Sequence, residues 1–339
     1  MVEVLARVVN GVGRITLNRP RAINALTHAM VVEVDAALAA WAADDGVHAV
    51  VVDGAGERGL CAGGDIREVH AAALAGGSAA LAFWADEYRM NARIARYPKP
   101  YAAIMDGIVM GGGVGVSAHG SVRVVTERTR LAMPEVGIGL APDVGGTYLL
   151  SRAPGELGTY VALTASTISG ADAVHCGLAD HLVTSDRLPE LLAHLESGSL
   201  DLVGYAVTPP PSRLAEQAGW IDVCFAVDTV EEILDRLAAH GQVAVAKEIE
   251  AKSPIALKVT LAALRRAREL PDVESVLVQE YRVSAACLRD HDLVEGIRAQ
   301  VIDKDRDPRW SPATLAEVTD AAVAAHFAEP EVAFRLTRG

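Results

Sequence analysis

The amino-acid sequence predicts an α/β fold, on three observations. Apolar, β-branched runs such as "HAVVVDG" and "YAAIMDG" end in glycine, as buried strands do. Glycine-rich turns and helical stretches follow them, so strand, turn and helix recur along the chain. From about residue 186 the strand signal fades, and apolar residues fall at three- and four-residue spacing instead. The expected organisation is a core over residues 1–185 and a helical region over 186–339.

The elements follow in order. "EVLARVVNGVGRITLN" reads as two strands hinged at Asn10-Gly11, a dipeptide suited to a tight hairpin turn. "RAINALTHAMVVEVDAALAAWAADD" has helical periodicity throughout. After the strand "HAVVVDG", the segment "GLCAGGDI" reads as a loop, and residues 78–96 as a helix closed by the prolines of "YPKP". The strand "YAAIMDG" leads to the turn "GGGVG" and a helix start, and "SVRVVTE" and "RLAMPE" are short strands. Beyond these, "VEEILDRLAAH", "PIALKVTLAALRRARE" and "VESVLVQEYRVSAACLRD" are helical. "TPPPSR" is a kinked connection, and "HFAEPEVAFRLTRG" is expected to be loosely held.

Composition narrows the function. With 51% hydrophobic and 22% charged residues the 339-residue chain can bury a large core. A formal charge of -13 argues against nucleic acid or an anionic membrane as partner. No apolar run reaches the length of a membrane span. The four cysteines have no ligand-like or framework spacing, so neither a disulfide scaffold nor a metal site is expected. Reduced thiols point to a reducing compartment, and cytoplasmic is the expected location.

Two glycine turns, "CAGGDI" and "MGGGVG", each follow a strand. Consecutive glycines let a ligand approach the backbone, and N–H groups at a helix start favour negative charge. Two such turns could converge on one oxygen and stabilise charge developing on it. The stretch "MPEVGIGLAPDVGG" adds two carboxyl groups, Glu135 and Asp143, to a nearly apolar setting, where an unpaired carboxylate is costly. Cys61, beside the first turn, reads as a small packed side chain rather than a nucleophile.

The segments "ITLNRPRAINAL", "GLCAGGDI", "GIVMGGGVG", "MPEVGIGLAPDVGG" and "EGIRAQVIDKD", in this order, resemble the enoyl-CoA hydratase/isomerase (crotonase) superfamily. The resemblance implies a spiral of ββα turns with a helical C-terminal part that supports a homotrimer. It implies a coenzyme A thioester as substrate, with no separate cofactor and no metal. The backbone N–H groups of Gly64 and Gly112 would then form the oxyanion hole, and Arg21 would meet the coenzyme phosphates.

Hydratases of this superfamily use two glutamates. The second matches Glu135, but the first falls at Gly115, which has no side chain to move a proton, while Asp143 stands where glycine is usual. That exchange, together with "EYRVSAACLRDHDLVEGIRAQVIDKD", resembles the 3-hydroxyisobutyryl-CoA hydrolase branch, whose members cleave that thioester in valine breakdown. The branch's functional acids map onto Glu135 and Asp143, and a substrate contact onto Glu87. Glu135 would attack to give a mixed anhydride or act as general base on water. Asp143 would hold the substrate hydroxyl or tune Glu135. The alternatives are an enoyl-CoA hydratase or isomerase with a displaced acid, and a catalytically silent CoA-binding member.

Overall fold

The computed structural model describes residues 2–336. Strands β1 (Val4–Val9) and β2 (Val12–Leu17) pair antiparallel, with Val9 opposite Val12. Asn10 and Gly11, at φ 50° and 77°, close the hairpin, the positive-φ pair that a two-residue turn demands. The remaining strands are β3 (Ala49–Gly54), β4 (Gly59–Cys61), β5 (Tyr101–Met105), β6 (Ile108–Met110), β7 (Val122–Val125), β8 (Arg130–Ala132), β9 (Ile168–Ser169), β10 (His181–Val183) and β11 (Ala206–Val207).

One sheet runs β1-β2-β3-β5-β7-β10-β11 and a second runs β4-β6-β8-β9. Pairing is parallel from β2 to β10 and from β4 to β8, and antiparallel at β1, β11 and β9. Successive strand pairs therefore split, with β3, β5 and β7 in the larger sheet and β4, β6 and β8 in the smaller. Helices Ile66–Leu74, Gly112–Gly115 and Gly146–Ser151 follow the three pairs. This is the expected ββα spiral. All five residues of β5 are buried, as are Ala49–Asp53 of β3, which is why both read as unbroken apolar runs.

Two expectations about the first 64 residues need correction. The first helix starts at His28, not Arg21, with the Thr27 side chain accepting from the Met30 N–H at 3.3 Å. Before it, Ile23 and Asn24 turn left-handed, and the buried Asn24 amide donates to the carbonyls of Ala55, Gly59 and Leu60 at 3.1 Å each. A helical pattern cannot reveal a residue whose side chain bonds distant backbone. Likewise "GLC", read as loop, is β4, too short to show a period.

The chain forms two compact units, each drawn from three stretches. The residues up to Gly64, with Asp86–Ala132 and Thr167–Ala215, hold both sheets. Asp65–Ala85, Met133–Ser166 and the chain from Glu216 onward form a helical unit. Its centre is helix Pro254–Glu269, started by the Ser253 cap and Pro254 at the first position, the arrangement in which a missing N–H costs nothing. That helix packs on Gly146–Ser151, Leu157–Thr164, Val273–Cys287 and Asp320–Ala325. No helix among the described residues is long and apolar enough to cross a membrane.

The segment "EGIRAQVIDKD" is a packing and charge hub of the helical unit. A Cβ on Gly296 would stand 2.5 Å from the Ile138 carbonyl carbon, and one on Gly139 would strike the Asp292 backbone. Helix His291–Ile297 and the turn Glu135–Ile138 thus touch backbone to backbone. Glu295 accepts two bonds from Arg298, at 2.8 and 2.9 Å, and one from the Arg309 N–H at 2.8 Å. These hold its carboxyl down to about 2.

The C-terminal part is docked, against the expectation of a loose end. Phe334 stacks on Tyr281 with centroids 4.7 Å apart, and residues 337–339 lie outside the described residues. The buried His326 ring bonds Asp290 Oδ2 at 2.7 Å and the Ala322 carbonyl at 2.9 Å. Burial opposes its charge, but the Asp290 carboxylate, the adjoining Cys287 and the carbonyl outweigh that and push its pKa up to about 10. A raised histidine pKa stabilises fully below about 6.5 and ceases to do so as pH climbs through the folded value. The melting temperature should therefore fall from pH 6.5 to 10 more steeply in the wild type than in His326→Gln. Parallel curves would show that the ring carries no charge there.

Candidate active site

In the sheet-bearing unit, three residues singled out from sequence meet. β4 leads into Ala62, Gly63 and Gly64, pinned by a parallel bridge from Leu26 to Gly64 and by the Leu26 N–H donating to the Gly63 carbonyl at 2.8 Å. β6 leads into Gly111, at φ 47°, which caps the one-turn helix Gly112–Gly115. A Cβ on Gly112 would sit 2.6 Å from Glu87 Oε1, 3.1 Å from Leu26 Cδ1 and 3.2 Å from Gly64 N. Both glycine turns and the Glu87 carboxyl thus border one spot, which a larger residue could enter only by displacing that carboxyl. As the first residue of its helix, Gly112 has an N–H with no partner inside that helix.

Glu87 is only 2% exposed, so helix Ser78–Ala95 presents it inward rather than as a solvated surface acid. Cys61 is fully buried, and its Sγ lies 3.4 Å from the Gly63 N–H. Burial pushes its thiol up to about 12, where almost no thiolate exists at neutral pH. Iodoacetamide at pH 8 should leave Cys61 of the folded protein unmodified. Labelling at the rate of a free thiol would contradict this packing.

Arg21 is exposed in the turn Pro20–Ala22. Its carbonyl accepts from Arg58 at 2.6 Å, and its guanidinium has no hydrogen-bond partner among the described residues. His291 opens helix His291–Ile297 and bonds the Arg309 carbonyl at 2.9 Å, a structural contact.

In the helical unit, Glu135 opens the 3-10 turn Glu135–Ile138, and its carbonyl accepts from the Leu140 N–H at 3.0 Å. Asp143 follows, with its carbonyl accepting from the Gly146 N–H at 2.6 Å. The two acids are 5% and 6% exposed, so both side chains are largely shielded from solvent. Val144 and Gly145, at φ 53° and 79°, then turn the chain into helix Gly146–Ser151.

Another buried acid, Glu280, escaped the sequence reading. One of its oxygens accepts from the Gly145 N–H at 2.6 Å; the other accepts from the Thr147 N–H at 2.9 Å and the Thr147 hydroxyl at 2.5 Å. Burial pushes its pKa up to about 8, against these donors and with Asp143 adding to the rise. The available signal was positional. In helix Val273–Cys287 the apolar face takes Val273, Val276, Leu277 and Tyr281, and residue 280 falls on that face.

This combination of a ββα spiral, paired glycine turns and buried acids is matched by a family profile described as enoyl-CoA hydratase/isomerase over residues 12–327. The chain belongs to that family. It is 42% identical over 337 residues to the mitochondrial 3-hydroxyisobutyryl-CoA hydrolase of Danio rerio, covering 95% of this chain and 88% of the relative. It is 41% identical over 341 residues to the Homo sapiens protein of the same name, covering 96% and 88%. Among solved structures it resembles one described as a carnitinyl-CoA dehydratase from Mycobacterium thermoresistibile, 56% identical, with TM-score 0.96 and 98% of each chain covered. It also resembles one described as an enoyl-CoA hydratase from Rhodobacter sphaeroides, 45% identical, with TM-score 0.92 over 96% and 97%.

These relatives overturn the cytoplasmic expectation, since the curated ones are mitochondrial enzymes. Four buried, free thiols fit any reducing interior, so cysteine usage does not separate one such compartment from another.

Proposed function

We propose that this protein hydrolyses 3-hydroxyisobutyryl-CoA and similar short 3-hydroxyacyl-CoA thioesters to the free acid and coenzyme A, a step of valine breakdown. The observation that carries this reading is Gly115. It is buried in helix Gly112–Gly115, at the position where the hydratase pattern has its first glutamate, and a glycine neither delivers nor accepts a proton. The names of the curated relatives support the same branch.

In this reading the thioester oxygen accepts from the Gly64 and Gly112 N–H groups. The negative charge that develops as the carbonyl carbon becomes tetrahedral falls on that oxygen, where preorganised donors act most strongly. Glu135 either attacks the carbon, expelling the coenzyme A thiolate and leaving a mixed anhydride that water cleaves, or removes a proton from the attacking water. Both routes consume one water and return one acid and one thiol. Asp143 holds the substrate's 3-hydroxyl, Glu87 contacts the substrate beside Gly112, and Arg21 meets the coenzyme phosphates. A homotrimer belongs to the same proposal, with sedimentation velocity as its check.

The second reading is an enoyl-CoA hydratase or dehydratase, favoured by the descriptions of the two solved structures. The Glu87 carboxyl beside Gly112 would be its displaced acid. Free thiol released from 3-hydroxyisobutyryl-CoA supports hydrolysis; loss of enoyl absorbance without thiol supports hydration.

Glu135→Gln keeps the shape but removes the nucleophile or base, so thiol release should fall at least a thousandfold while the thioester still binds. Asp143→Asn retains a hydrogen-bonding group and should lose less, with weaker preference for hydroxylated substrates. Both variants within tenfold of wild type would end the assignment of these acids. Gly112→Pro deletes one oxyanion donor, typically worth about 3 kcal/mol, so a loss of at least a hundredfold is expected. A folded, active Gly112→Pro protein would place the carbonyl elsewhere.

A further inference from the structure

We propose that Glu280 is the positioning residue of Asp143, acting through the left-handed corner that joins Asp143 to helix Gly146–Ser151. The proposal rests on the reading of Asp143 as the group that meets the substrate's hydroxyl. Its own basis is geometric. Glu280 is 2% exposed, and its two oxygens reach over the start of that helix to Gly145 N, Thr147 N and Thr147 Oγ1 at 2.6, 2.9 and 2.5 Å.

Those partners are what the corner needs. The first N–H groups of a helix have no partner within it. Helix Gly146–Ser151 lacks a side-chain bond from its own cap residue, Gly145. Glu280, more than 130 residues away in sequence, supplies the acceptors instead. Val144 holds φ 53° and Gly145 φ 79°, and a β-branched residue such as Val144 adopts that conformation only where its surroundings enforce it. A buried carboxyl group bonded to the Gly145 N–H and to both donors of Thr147 is such an enforcement. Asp143 is the residue immediately before the corner, so its direction follows from the corner's geometry.

Burying a carboxyl group at this position also has a cost, visible in its pKa of about 8. A serine or aspartate cap at residue 145 does not suit this corner, because Gly145 sits at φ 79° whereas such caps take extended backbone. An acid brought from helix Val273–Cys287 ties the corner to the body of the helical unit instead of to itself. The consequence is rigidity where the proposed reaction needs it, since misplacing a reacting or orienting group by about 1 Å can cost about a hundredfold.

The test is a double-mutant cycle of Glu280→Gln with Asp143→Asn, read as kcat/KM on a 3-hydroxyacyl-CoA and on the matching acyl-CoA without the hydroxyl. Glu280→Gln replaces one acceptor oxygen with an NH2 group, so at least one of the three bonds is lost. Its kcat/KM on the hydroxylated substrate should fall roughly ten- to a hundredfold, and much less on the other. In the Asp143→Asn background the same change should leave the ratio of the two substrates almost unmoved, because residues that act as a unit are not additive. Thr147→Val removes only the hydroxyl donor and should move the ratio in the same direction by less, which keeps the test open should Glu280→Gln fold poorly.

Equal losses on both substrates, or losses that multiply in the double variant, would overturn the proposal and leave Glu280 a purely structural acid. If Asp143→Asn alone keeps the full preference for the hydroxyl, it is the reading of Asp143 that fails. The positioning claim falls with it, and a substrate ratio that Glu280→Gln still changes would mean that Glu280 acts on another group.

Discussion

The space at Gly112 is the constraint on which the rest of the sheet-bearing unit depends. A Cβ there would stand 2.6 Å from Glu87 Oε1 and 3.2 Å from Gly64 N, so any larger residue would have to displace the Glu87 carboxyl. Two strand ends from the smaller sheet have to deliver their following turns to that point. The parallel pairing of β4 with β6 does so, since adjacent parallel strands end side by side and their following residues stay neighbours. Gly113 extends the same demand, as its Cβ would meet the Cys61 carbonyl at 2.5 Å. Close backbone contact, rather than any side chain, therefore brings the two turns together, and the ββα repeat is the means of making that contact.

The helical unit solves a different problem, that of keeping acids out of water without losing them to the core. An ionised carboxyl in an apolar setting is costly unless bonded. The loop bearing Glu135 and Asp143 is held at three kinds of contact. Gly139 and Gly296 press it on helix His291–Ile297, Ser253 donates its N–H to the Val136 carbonyl at 3.2 Å, and Glu280 anchors the far end. Ser253 in turn donates its hydroxyl to the buried Asp292 at 2.6 Å. The conspicuous C-terminal segment is thus chiefly the support of the acid loop. Its charges, Glu295, Arg298, Asp303 and Asp305, bond one another.

Much of this was legible in the sequence, for identifiable reasons. The strands β3 and β5 are buried on both faces and so appear as apolar runs. The Asn10-Gly11 hairpin is local chemistry, readable from two residues. Glu135, Asp143 and Glu87, singled out from the sequence, are buried, and the turns at Gly64 and Gly112 meet. What stayed hidden depends on distant partners. Asn24 bonds carbonyls some 30 residues on, and β4 has three residues, too few for a pattern. Phe334 in a proline-flanked tail gives no sign that Tyr281 awaits it. Glu280 was visible only as an acid on an apolar helix face, which marks an interest but not a partner. The compartment could not be read from four reduced thiols at all.

The central claim is that the paired N–H groups of Gly64 and Gly112 grip a thioester carbonyl. Isotope-edited infrared spectroscopy reads that grip directly, using a 3-hydroxyacyl-CoA labelled with 13C at the carbonyl and bound to the Glu135→Gln variant. Two donors on the oxygen polarise the bond, so the bound carbonyl should absorb at a clearly lower frequency than the same thioester in water. A bound carbonyl absorbing at or above its frequency in water would contradict the claim.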